Sequence, residues 1–150
     1  LYASMERPGN PTLNTCRTSS DDNVVPSRCQ RDINLIFLST TTPVRTWVSP
    51  LDGIDKQAPH LTLFGEGMLA GWRTEPFSDA RFYIQEADIN GNMLGSPEDV
   101  GGAWFSDRDK FFKYDNGDAG WVWVKERVIP GQLPSSHSTE LQLVRVRSCS

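Results

Sequence analysis

From residue 33 onward, short apolar runs rich in β-branched and aromatic residues alternate with clusters of Gly, Pro, Asp and Asn. The runs are INLIFL, PVRTWVS, HLTLF, MLAGWR, ARFYIQEA, NMLGS, KFFKY, GWVWV and TELQLVRV. Each has the length of a strand, and Gly or Pro interrupts nearly every span in which a 3.6-residue period would have to develop. The pattern predicts an all-β chain. Residues 1–32 differ: they hold three Pro, clustered turn formers and no apolar periodicity, which reads as an extended N-terminal arm ahead of an all-β domain over 33–150.

Three stretches resemble one another when aligned. LIFLSTTTPVRTWVSP from 35, LTLFGEGMLAGWRTEP from 61 and FFKYDNGDAGWVWVKE from 111 each give an apolar strand, a tight polar or glycine turn, and a second strand with Trp. Trp72 and Trp121 lie 49 residues apart, and each hairpin is followed by a loop and an alternating strand. A four-stranded unit of roughly fifty residues is the repeat of a β-propeller blade. The alternative is a β-sandwich, whose hairpins look alike because hairpins share Gly and aromatic pairs. The spacing favours antiparallel propeller-like blades.

The segment APHLTLFGEGMLAGWRTEPFSDARFYIQEADINGNMLGSPEDV, 58–100, resembles the β-propeller-type repeats of secreted and cell-surface proteins, with Pro59, Leu61, Trp72, Ile84, Gln85, Asp88, Gly91 and Gly95 carrying the likeness. Residues 104–147 match more loosely. The resemblance implies blades and an extracellular or surface location; its motif is structural and implies no activity. Two and a half units do not close a ring, so the likeness also implies completion by another segment, a second copy or a partner chain.

Composition narrows the partners. A length of 150 residues suits one domain, and although apolar residues make up only 37%, five Trp and seven Phe supply large core pieces. The net charge of −4 carries no basic stripe, which argues against nucleic acid. The longest apolar run, LIFL, is far short of a membrane span. The first residue is Leu1 and no charged-then-apolar leader follows it, so the expectation is a processed form or a piece of a longer precursor.

Cysteine placement fits an oxidising compartment. Cys16 and Cys29 flank twelve polar-rich residues, where a disulfide would pin the arm; Cys149 is left odd, as a free thiol or an interchain bond. Without CxxC or His spacing the three do not suggest zinc.

Chemistry has few candidates. Asp88, Asn90 and Asn92 in DINGN superficially match the start of a calcium loop, but MLGSP follows, which is hydrophobic and then Pro-bearing, and Asn90-Gly91 is a strong hairpin-turn signal. The turn is the preferred reading, so no metal or other cofactor is expected. DNGD, 115–118, reads the same way, with its acids and those of SDRDK forming a solvated charged edge neutralised by Arg108 and Lys110. His60 and His137 lack any motif of nucleophilic or metal catalysis. Glu66, Glu75, Asp79 and Glu86 leave a carboxylate pair open, so a hydrolase fragment ranks behind the non-catalytic readings. Trp121 and Trp123 share one face of a strand, which is either core or an exposed stacking platform; Trp104 beside Phe105 is a second platform. The expected function is therefore a secreted or surface recognition module for a glycan or protein ligand through Trp104, Trp121 and Trp123. The alternative is a subunit of a larger extracellular assembly.

Overall fold

The computed structural model describes residues 2–4, 32–37, 44–50, 52, 54–74, 79–106, 108–128 and 137–148. Ten strands account for most of them, all pairings are antiparallel, and there is no α-helix among the described residues. In chain order they are β1 (Tyr2–Ser4), β2 (Asp32–Phe37), β3 (Val44–Trp47), β4 (Lys56–Phe64), β5 (Gly67–Thr74), β6 (Phe82–Ala87), β7 (Met93–Asp99), β8 (Phe112–Lys113), β9 (Ala119–Val128) and β10 (His137–Val146). They form three successive meanders, β1-β2-β3, β4-β5-β6-β7 and β8-β9-β10. The expected all-β, antiparallel class is thus observed. Residues 2–4 of the N-terminal arm add a strand to β2, pairing Tyr2 with Asn34.

The second sheet lies between the other two, and the period-2 pattern of its strands explains how. On β5, Met68, Ala70 and Trp72 point to one side and pack with Ile33, Leu35 and Val48 of the first sheet region. Leu69 points to the other side and joins Phe64, Phe82 and Ile84 against Ala119, Trp121 and Trp123 of the third. This is why MLAGWRT reads as a continuous run and is buried at every position, unlike the alternation of a sheet with one wet face. Gly71 is required by this double burial: a Cβ there would sit 2.6 Å from the ring of Phe111.

β4 runs longer than HLTLF predicts. Pro59 lies inside it, and the chain accommodates Pro with a register shift between Gln57 and His60, where Ala58 takes a φ of 51°. The extension brings Lys56 into the interior at 1% exposure. Its ammonium donates to Asp32 Oδ1 at 3.2 Å, to the Pro50 carbonyl at 2.8 Å and to Asp52. Ser49 Oγ also donates to Asp32 and accepts the Ile33 backbone N–H at 2.9 Å. One buried cation thus ties the second sheet to the first.

The two Asn-Gly loops differ from the two-residue turn expected of them. In both, a residue and its i+3 Gly are hydrogen bonded, Gly91 N to Asp88 O at 3.0 Å and Gly117 N to Tyr114 O at 3.0 Å. Positive φ falls on the glycines alone, at 85° and 91°. That is a type I turn closed by a left-handed glycine in a bulge, which carries one more residue than the mirror-image turn.

Candidate functional site

The segment between β7 and β8 builds the molecule's aromatic cleft. It leaves β7 through a bond from Val100 N to Phe82 O at 2.9 Å and turns at Gly101, whose N–H reaches Asp99 Oδ1 at 2.8 Å. Phe105 and Phe111 then drop into the core, 3% and 6% exposed. Phe105 sets its edge toward Phe82 and Trp121, while Phe111 stacks on Trp121 with centroids 4.8 Å apart. His60 belongs to the same cluster, stacked on Phe111 at 4.8 Å, so its imidazole is a core ring. Trp104, between these anchors, remains 48% exposed.

Trp104 is nevertheless fixed. Its ring stacks on Phe82 at 5.5 Å and lies 5.9 Å from Trp123, and its carbonyl accepts the Nε1–H of Trp121 at 2.8 Å. These rings wall an open cleft of about 450 Å³, with Val124 beside them and Ser106, Arg108 and Asp109 along its polar side. Ser106 Oγ accepts the Arg108 N–H at 3.1 Å, shaping that polar side. Trp123 is 8% exposed, and its buried Nε1–H finds no acceptor among the described residues. Lys125 reaches back to within 5.7 Å of the Trp123 ring. The arrangement offers apolar ring faces beside a cation, a carboxylate and hydrogen-bond donors, the usual make-up of a small-ligand site.

The three tryptophans expected to bind ligand separate into two roles. Trp104 and Trp123 line the cleft. Trp121 is 1% exposed, stacked against Phe111, in T-shaped contact with Phe105 and with its N–H engaged inside, so the Trp-bearing face of β9 is the core face. Val124, on the opposite face, is 56% exposed. Sequence reasoning missed Phe82, Ser106 and Asp109, and the sole available signal was their proximity in sequence to aromatic strands.

The remaining candidates fall elsewhere. Asp88 Oδ1 accepts the N–H groups of Asn90 and Asn92 at 2.9 and 2.8 Å, and Oδ2 accepts Asn92 Nδ2 at 2.7 Å. Those bonds, the Asn92 side chain first, hold the Asp88 carboxyl below its ordinary value of 3.8. No group of three or more metal-ligating side chains occurs among the described residues. Glu66 and Glu86 share a groove of about 390 Å³ with Asp88, and both are solvent-exposed; Asp79 is not part of it. Cys16, Cys29, Cys149 and Glu75 lie outside the described residues, and His137 is described in its backbone alone.

Asp118 corrects the expected charged edge. It is buried at 3% and accepts from Arg145 Nε at 2.6 Å, Ser148 N at 2.9 Å and Asn116 Nδ2 at 3.0 Å. The acid pins the β8–β9 turn to the end of β10 instead of facing the 106–110 segment.

The chain matches no family model, no curated protein and no solved structure. No helix among the described residues is long and apolar enough to cross a membrane.

Proposed function

We propose that this protein is a non-catalytic recognition module that takes a carbohydrate ring in the cleft between Trp104, Phe82 and Trp123. The observation that carries the reading is a half-exposed Trp104 held rigidly from beneath by Trp121 and Phe82. An exposed indole has a hydrophobic cost, and rigid aromatic faces recognise apolar surfaces with little loss of conformational entropy. The C–H face of a sugar supplies such a surface, while its hydroxyls suit Arg108 and Asp109. Among the described residues lining the cleft, Asp109 is the single carboxylate, whereas glycoside hydrolysis ordinarily uses two.

In this reading the three meanders are propeller-type blades, supported by their succession in chain order and by the two-sided burial of the middle sheet. The extracellular or surface location goes with the same reading through the resemblance of 58–100 to secreted repeats. Titration with a panel of neutral and acidic oligosaccharides, followed by tryptophan fluorescence, tests it. Saturable change that disappears in Trp104→Ala supports the reading; a full panel without response, or a response that survives the substitution, overturns it.

A further inference from the structure

Among the described residues six strands lie at sheet edges, and five of them are blunted. β1, β3 and β8 are four residues long or shorter. β4 carries Pro59 and the left-handed Ala58, and β7 carries Pro97, Gly95 at a φ of 74° and a register shift against β6. Such devices keep a strand edge from pairing with another chain. β10 has none of them: it runs ten residues without Pro or Gly, in ten consecutive register pairs with β9, and no described strand pairs with its other side. Its two charged residues are occupied within the chain, Glu140 accepting from Gln142 Nε2 at 3.0 Å and Arg145 donating to Asp118 at 2.6 Å.

This open edge borders a groove. The third sheet has three strands against the four of the second; β8 and β9 pack on β4, and the third sheet ends at β10. Between Val146 of β10 and Leu94, Ser96 and Glu98 of β7 lies a groove of about 270 Å³, floored by Leu69 and Ile84 and flanked by Glu86. Glu86 and Glu98 are exposed, neither forms an ion pair among the described residues, and no cation lines the groove. A strand added to β10 would roof it.

We propose that an extended, basic segment of another protein completes the third sheet by pairing with β10. Its backbone takes up the outward N–H and C=O groups of β10, and its inward side chains place Lys or Arg over Glu86 and Glu98. Charge decides the occupant. Glu140 lies across from Lys125, on the same face as Trp121 and Trp123, so a second copy paired β10 to β10 would bring its own Glu140 to the side that already holds Glu86 and Glu98. A basic side chain at that place meets two carboxylates instead of adding a third.

Calorimetric titration with synthetic peptides of about ten residues, one alternating valine with lysine and one alternating valine with glutamate, tests the inference together with hydrogen exchange of the β10 amides. The expected result is saturable binding of the lysine peptide alone, with slowed exchange at the β10 amides that point away from β9. Glu86→Gln/Glu98→Gln is expected to weaken binding at least about tenfold with an unchanged circular dichroism spectrum. Asp79→Asn/Asp115→Asn, which removes as much charge at exposed positions elsewhere, is expected to bind as the parent does. Absence of binding, binding without protection of those amides, or equal affinity of the parent and the Gln variant overturns the proposal. So does protection that appears without peptide and grows with protein concentration, which is pairing between copies. The groove shares no lining residue with the aromatic cleft, so the result is independent of the glycan reading.

Discussion

The Nε1–H of Trp121 reaches the carbonyl oxygen of Trp104 at 2.8 Å, so a fully buried indole holds a half-exposed one in position. The two residues are 17 apart in sequence and have opposite duties, one anchoring the loop from within the core and the other presenting a ring to solvent. Trp121→Phe keeps an aromatic core residue but removes the donor. It is expected to cost about 1–3 kcal/mol of stability and to weaken oligosaccharide binding. Trp104→Ala is expected to abolish binding at a cost of about 1 kcal/mol or less, mainly its stacking on Phe82. Urea unfolding and fluorescence titration of both variants separate the roles.

The buried Lys56 ammonium makes a sharper stability prediction. Lys56→Met leaves Asp32 buried without its cation, and loss of one partner of such a pair costs about 3–5 kcal/mol. Adding Asp32→Leu removes the orphaned charge and is expected to recover part of that loss. Urea midpoints of the single and double variants measure it; equal stability of Lys56→Met and the parent would show the pair contributes nothing.

Asp118 predicts an acid-side effect. The Ser148 backbone N–H first, then the Asn116 amide and Arg145, hold its carboxyl below the ordinary value of 3.8. Because the folded value is the depressed one, the contribution is present above 3.8 and is lost as pH falls through the folded value. Asp118→Asn should therefore be less stable than the parent near neutrality, with the gap closing in acid. Asp88 shifts in the same direction, so the comparison is best repeated with Asp88→Asn. Thermal melts across the acid range provide the check.

Backbone geometry gives a pair of opposite outcomes. Gly71→Ala places a methyl 2.6 Å from the Phe111 ring in a core packed on both sides, and is expected to cost about 1–3 kcal/mol. Ala58→Gly relieves a left-handed conformation at the β4 bulge and is expected to gain about 0.5–1 kcal/mol. Chemical denaturation of each decides both signs.

Much of the architecture is written locally. Alternating runs bounded by Gly, Asn and Pro mark the strands, because pleating and turn conformations depend on near neighbours. For that reason MLAGWR and TELQLVRV each fall on an observed strand, as do the described residues of INLIFL. The site was legible in part, since Trp104 and Trp123 stood out as aromatic candidates. Their separation from Trp121 was not legible, because period 2 says which residues share a face but not which face meets another sheet. The destination of Lys56 and Asp118 was equally hidden: their partners lie 24 and 27 residues away, across sheets and turns.

The sequence by itself determined an all-β chain of antiparallel hairpins, through strand-length alternation and turn residues acting over a few positions. Tertiary packing alone decided that the second sheet is buried on both faces, that Trp121 supports Trp104 from within the core, and that Leu141 and Leu143 face solvent. These outcomes depend on which faces meet, and that choice is made by long-range burial of apolar surface rather than by any local preference.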